Sequence, residues 1–276
     1  MSAALEVADL TVGLGGSEVV RGVCLEVARG QVLGLVGPNG AGKTTFVDGV
    51  TGFVPASGTV VVNGRRVEHL RPHRRAALGL ARTFQSLELF DDLTVGENLA
   101  VAAEAQQRRQ KGAEAQQRRQ KGAEAAGRRR QAGHAAGHRR QLVETIARAA
   151  DAARVGDLLE AIPKRLSLGQ RKGVALARAL AADPSVLLLD EPAAGLDGEE
   201  RRALVATLGS LAAGGMAVVL IDHDVQLVSE ASDRVVVLDG GRVVASGSPQ
   251  ELRGDSRVAA AWLGPVTPSS GPAPRA

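Results

Sequence analysis

The stretch "QVLGLVGPNGAGKTTFVDGV" (residues 31–50) holds the reading that decides the fold. Its first part is a short, nearly all-apolar run, the composition of a strand buried on both faces. Its last part, continuing as "KTTFVDGVTGF", reads as a helix. Between them "GPNGAGKT" (Gly37 to Thr44) has the spacing G-x4-G-K-[ST]. Gly37, Gly40 and Gly42 allow tight curvature and let backbone N–H groups come close to phosphate oxygens. The helix that follows aims its N-terminal dipole at the same oxygens. Lys43 has the reach for β and γ phosphates, and the Thr44 hydroxyl can sit on Mg²⁺. Pro38, Asn39, Ala41 and Thr45 complete the segment that would wrap the phosphates. A Gly-rich turn could fit the pattern by accident. The buried strand before it and the helix after it are the context that a nucleoside triphosphate site requires.

Outward from this loop the chain alternates. "LEVADLTV" and "VCLEV" read as strands, and "TVVVNGRRV" places Asn63-Gly64 between apolar alternations, a hairpin signal. "LTVGENLAVAAEA" starts a helix, with Thr94 as cap and Glu97 three residues on, a capping box. "LVETIARAADAARVGDLLEAI" has helical spacing of its apolar residues. "GQRKGVALARALAADPSVLLLDEP" and "EERRALVATLGSLAAGGMAVVLIDHD" are two helix–strand units, and "RVVVLDGGRVVASG" is a closing hairpin. Helices alternating with apolar strands predict an α/β fold with a largely parallel sheet. The last residues, "GPVTPSSGPAPRA", are rich in Pro, Ser and Gly and read as an unfolded tail over 264–276.

Charge is unevenly placed. The 276 residues carry a net +4, but residues 104–140 hold 11 Lys/Arg and 3 Glu, a net of +8. The remainder has 23 basic and 27 acidic residues, a net of −4. The basic excess thus belongs to one segment, which weakens a whole-chain case for nucleic-acid binding. That segment contains "AEAQQRRQKG" repeated verbatim within a low-complexity insertion at 103–140. A ten-residue period advances about 1000°, roughly 80° short of three helical turns. Equivalent residues therefore spiral, form no constant apolar seam, and argue against a coiled coil. A solvated helical arm or a disordered loop is expected. Attraction to anionic headgroups or RNA stays open, although no aromatic interrupts the segment to stack on bases. The single Cys, Cys24, suits a reducing compartment. No run approaches the roughly 20 apolar residues of a membrane helix. The expectation is a cytoplasmic chain whose membrane role comes through a partner.

"SVLLLDEP" ends an apolar run in adjacent acids. Asp190, at the carboxyl end of that strand, would face the phosphate loop and hold Mg²⁺ through water. Glu191 would polarise an attacking water as general base. Two solvated acids before a Pro-containing turn are the alternative; the phosphate loop nearby favours the first reading.

With "LSLGQ" (Leu166 to Gln170) the chain resembles the ATP-binding subunit of an ABC transporter, because six motifs follow in family order: "GPNGAGKTT", "RTFQ", "LSLGQ", "VLLLDEP", "AGLD" and "LIDHD". The resemblance implies a P-loop NTPase core (RecA-like) with an N-terminal antiparallel β-subdomain and an α-helical subdomain at about 86–165, within a single domain over 1–263. It implies ATP and Mg²⁺ as cofactors. Gln85 would be the loop glutamine that approaches Mg²⁺ and the attacking water, and would link nucleotide state to the membrane partner. Ser167, Leu168, Gly169 and Gln170 would face the γ-phosphate held by a second ATPase subunit. Asp197 would lie at the dimer seam, and His223 would contact the γ-phosphate and orient water. Longer stretches, "LARTFQSLELFDDLTVGENLAVA" and the ending with "AAAWLG" among them, resemble the ATPases of branched-chain amino acid importers, whose relatives also handle amides. That implies integral membrane permease subunits, an extracytoplasmic solute-binding protein, and a place on the cytoplasmic face of the inner membrane. Nucleic acid is not an expected partner.

Three features depart from the family pattern. Leu14 stands where an aromatic usually stacks on adenine, which lowers the expected base selectivity. Leu168 replaces the first family glycine of the signature, and the basic repeat enlarges the helical region. The rival readings are an export or lipid-extraction ATPase, and a non-transport ABC ATPase on ribosomes or nucleic acid.

Overall fold

The computed structural model describes residues 3–84, 86–120 and 131–253. The chain opens with β1 (Ala3–Leu14) and β2 (Ser17–Ala28), then β3 (Val32–Val36) leads through the Gly-rich loop to α1 (Lys43–Thr51). β4 (Ser57–Val62) and β5 (Arg65–Arg66) follow, then α2 (Pro72–Ala77) and β6 (Leu80–Arg82). A helical stretch comes next: α3 (Val95–Gln120), α4 (Gln131–Ala152) and α5 (Leu168–Leu180). The second half alternates β7 (Val186–Asp190), α6 (Gly198–Ala213), β8 (Ala217–Ile221) and α7 (Val225–Ala231), and ends with β9 (Arg234–Asp239), β10 (Arg242–Gly247) and α8 (Pro249–Leu252).

Two sheets form. The first is antiparallel, in the order β2-β1-β4-β5. Its hairpin turns at Asn63 (φ 50°) and Gly64 (φ 73°), the pair of positive φ angles that a tight two-residue loop needs. The second has the order β10-β9-β3-β8-β7-β6, parallel throughout except for the edge strand β10.

The period of two along β3, β7 and β8 divides the apolar side chains between two cores. Val32, Val36, Leu187, Leu189, Val218 and Leu220 pack with the helices α3 to α7. Leu33, Leu35, Val186, Leu188, Val219 and Ile221 pack with Phe46, Val47 and Val50 of α1 and the inner face of the antiparallel sheet. Every residue of β3, β7 and β8 is buried. Each such Val or Leu contributes about 1.5–3 kcal/mol relative to exposure. The central strands are therefore firmly seated, and the loops at their carboxyl ends inherit fixed positions.

The expected capping box at the start of α3 is present. The Thr94 Oγ accepts from the Glu97 N–H (3.2 Å), and the Glu97 carboxylate accepts from the Thr94 N–H (2.7 Å). The helical reading of 142–162 holds only to Ala152. There Arg154 takes φ 57° and a 3-10 turn follows at Gly156–Leu158, because the apolar residues beyond it must turn back under α3. The basic repeat is entered by helix from both sides, α3 reaching Gln120 and α4 starting at Gln131. The tail at 264–276 and the "AAAWLG" stretch lie outside the described residues.

Candidate nucleotide site

Three strand ends meet at one edge of the parallel sheet. β3 ends in the phosphate loop, β7 in Asp190-Glu191, and β8 in Asp222-His223. The pairings Leu35–Ile221 and Asp190–Ile221 place these ends side by side. Segments distant in sequence are thus brought together, at the carboxyl ends of the strands where α/β sheets bind their ligands.

The phosphate loop is held from below. The Ala41 N–H donates to the Pro38 carbonyl (3.1 Å), and the Gly241 N–H donates to the Ala41 carbonyl (3.1 Å). At Gly37 a Cβ would collide with the Leu238 carbonyl, so no other residue fits. Gly42 precedes α1 in a left-handed conformation and offers no side-chain cap, which leaves the first-turn amides to an outside acceptor. Pro38, Asn39, Gly40 and Thr44 are exposed and Thr45 half-buried. Lys43 is only 8% exposed, and its Nζ donates to the carbonyls of Gly37 (2.7 Å) and Pro38 (3.0 Å). Burial pushes its pKa below the usual lysine range, while Glu191 and Asp190 oppose that shift.

Asp190 is buried (3% exposed), and its Oδ2 accepts from Arg82 Nη2 at 3.1 Å. The other oxygen, Oδ1, is buried with no partner. Burial raises its pKa; Arg82 pulls it down, and Glu191 and Asp48 push it further up. Arg82 also pairs with Asp48, and its guanidinium lies over the Phe84 ring at 4.9 Å. The orphaned buried oxygen of Asp190 fits a divalent cation, whose remaining ligands would be the Thr44 hydroxyl, phosphate oxygens and water.

Glu191 takes φ 50°, a conformation that costs a non-glycine residue about 1–3 kcal/mol. Its N–H donates to the Ile221 carbonyl (2.8 Å), and its carbonyl accepts from Lys172 Nζ (3.2 Å). Asp222 is buried (1% exposed) and accepts from the N–H groups of Ala193 (3.2 Å) and Asp224 (3.0 Å). It thereby ties the loop after β7 to the loop after β8. His223 follows it in the loop after β8, exposed, with Nδ1 3.7 Å from Asp222 Oδ1.

The remaining predicted residues lie elsewhere. Ser167 caps α5: its Oγ accepts from the Gln170 N–H (3.2 Å), and Gln170 Oε1 accepts from the Ser167 N–H (2.9 Å). Leu168 is exposed. A Cβ on Gly169 would fall on the Glu200 carboxylate. Asp197 caps α6, accepting from Glu199 and Glu200 N–H groups at 2.8 Å. Leu14 ends β1 and is exposed. Among the described residues no hydrogen bond joins Ser167–Gln170 to the phosphate loop. Gln85 lies outside the described residues. Arg82, Asp222 and Lys172 escaped the reading of the motifs, because their contacts with Asp190, Ala193 and Glu191 span 108, 29 and 19 positions.

The family described as ABC transporter matches residues 20–194. This chain belongs to the ABC transporter family. The high-affinity branched-chain amino acid transport ATP-binding protein BraF of Pseudomonas aeruginosa is 35% identical over 262 residues, covering 94% of this chain and 97% of that protein. The lipopolysaccharide export system ATP-binding protein LptB of Haemophilus influenzae is 31% identical over 254 residues, covering 90% of this chain and 91% of that protein. A solved ATP-binding subunit of an ABC transporter superposes with a TM-score of 0.72 at 25% identity, covering 94% of this chain and 96% of that one. The chain is an ABC ATPase, an ATP-binding subunit with a P-loop core. Among the described residues no helix is long and apolar enough to cross a membrane.

Proposed function

We propose that this ATPase drives a membrane importer for branched-chain amino acids or related amides. The observation that carries the reading is the junction of the phosphate loop with Asp190 and Glu191, in a chain matching BraF along nearly its whole length. Gly37 to Thr45 wrap the phosphates, and the first turn of α1 meets their charge. Lys43 leaves the carbonyls of Gly37 and Pro38 for the β and γ phosphates. Thr44, Asp190 and Gln85 would hold Mg²⁺, which when bound neutralises the terminal phosphates. Glu191 takes up a proton from the attacking water, and His223 orients that water against the γ-phosphate. Leu14 covers the base by dispersion alone.

Two ATPase subunits complete the cycle in this reading. The segment Ser167–Gln170 of one subunit meets nucleotide on the other, and Asp197 lies at the seam between them. Nucleotide that binds the closed pair better shifts the equilibrium toward closure, and hydrolysis removes that bias. The groove between the α1–α2 region and α5, about 520 Å³ and lined by Phe53, Arg82, Phe84 and Arg178, suits a short permease helix. Phe53 is 55% exposed there, and Arg82 connects the groove to Asp190. The permease holds the subunit at the cytoplasmic face of the inner membrane, and an extracytoplasmic binding protein delivers solute.

Reconstitution tests the reading. Co-expressed with the permease and binding-protein genes of its neighbourhood, the chain confers ATP-dependent leucine or amide uptake on proteoliposomes. Absence of uptake, together with extraction of lipopolysaccharide from the same vesicles, favours the export reading instead.

A further inference from the structure

The helix that begins at Ser167 and the loop from Glu191 to Asp197 are joined by one ammonium. Lys172 stands one turn into α5. Its Nζ donates to the carbonyls of Glu191 (3.2 Å) and Pro192 (3.0 Å), and also to that of Ala194. An ammonium has three N–H donors, and this one spends all three on a single loop. Two close approaches seal the same interface. A Cβ on Gly169 would fall on Glu200, which caps α6 together with Asp197; a Cβ on Gly195 would meet Leu168 Cδ2 at 2.7 Å. Beside these contacts lies a cavity of about 230 Å³, lined by Leu176, Leu189, Leu196 and Leu204 and also by Asp190, Glu191 and Glu200. Glu191, at positive φ, has both of its backbone polar groups held, the N–H by the Ile221 carbonyl and the carbonyl by Lys172.

We infer that Lys172 is a positioning residue for ATP hydrolysis: it binds the loop carrying Glu191 to the helix carrying Ser167–Gln170, so that the signature helix sets the place of the base. The inference rests on Glu191 acting as that base. Its role is purely geometric: Lys172 acts through the backbone carbonyls of Glu191, Pro192 and Ala194. A displacement near 1 Å at a reacting group is enough for a loss of about 100-fold.

The test uses the purified full chain with Lys172→Met, Lys172→Arg and Glu191→Gln variants. K172M lowers kcat about 100-fold and moves the KM for ATP less than about threefold, because the phosphate loop is untouched. Amide exchange rises in the peptide 190–197 and not in the central strands. K172R, which keeps the charge but presents a planar fork instead of a compact ammonium, recovers part of the lost kcat. Wild-type kcat with unchanged exchange in K172M overturns the inference, and so does a joint loss of kcat and nucleotide affinity with exchange raised throughout. Should K172M not fold, Lys172→Gln, which keeps an amide donor, gives the same reading of kcat against exchange. An inert E191Q beside a normal K172M defeats this inference alone. Normal turnover in E191Q defeats the assignment of the base, and this inference with it.

Discussion

Arg82 shows how much one side chain can hold. Its guanidinium is the only cation paired with the buried Asp190 among the described residues, and it reaches Asp48 as well. With side-chain exposures of 7% for Arg82 and 1% for Asp190, removing the arginine strands a buried carboxylate. Arg82→Met is expected to lower unfolding stability by about 3–5 kcal/mol; a denaturant midpoint equal to wild type contradicts the pairing. Lys43 supplies a pH prediction. Its folded pKa is lowered from 10.5, so between the lowered value and 10.5 the unfolded chain binds more protons, and the free protein gains stability as pH rises. Below that window both states are protonated, and the fold carries the cost of the buried charge. A triphosphate beside Lys43 reverses the preference and favours the ammonium. Nucleotide affinity is therefore expected to fall as pH climbs through the lowered pKa, with proton uptake on binding. Calorimetric titration in two buffers of different ionisation enthalpy measures that uptake, and none in wild type contradicts the account. The motif named Lys43 and Asp190 at once, since the spacing of residues 37–44 and the acids at a strand end carry their own physics. Arg82, Asp222 and Lys172 were illegible because an ion pair or carbonyl contact between distant segments leaves no local pattern.

At the scale of elements, the long and the capped were readable and the short were not. β3, β7 and β8 announced themselves as apolar runs, and α3 through its Thr94–Glu97 box. β6 has three residues, and α2 and α7 have six and seven. Too few turns or alternations exist there to make a period. The break at Arg154 was hidden because the apolar spacing continues through it, while the backbone turns to bury Val155. Ser167 bears on both reading and energetics. It closes a complete capping box, so Ser167→Ala should cost about 1 kcal/mol of stability. If the hydroxyl also meets a partner's nucleotide, kcat falls by more than that cost explains, while Asp197→Ala, at the equivalent cap of α6, shifts stability similarly. Equal stability in S167A and wild type would contradict the cap.

For the whole molecule, the parallel sheet sets the site and the helical region between β6 and β7 elaborates it. The basic repeat is attached to that region, where Leu99 and Ala103 of α3 and Ala149 and Ala150 of α4 are buried. Gln106 and Gln107 are buried too, so the attachment extends one turn into the repetitive sequence. Replacing residues 109–136 by a short flexible linker should leave ATPase activity within about twofold, since loop-closure entropy changes slowly with length. A collapse of turnover would make the repeat part of the machine. The central claim is that two copies of this site, or one copy and a near relative, clasp ATP until Glu191 lets water cleave it. Light scattering of Glu191→Gln with Mg²⁺ and ATP, alongside its phosphate release, tests this most directly. The account predicts a doubled mass that persists and no release. A variant that stays monomeric or turns over at the wild-type rate would contradict it.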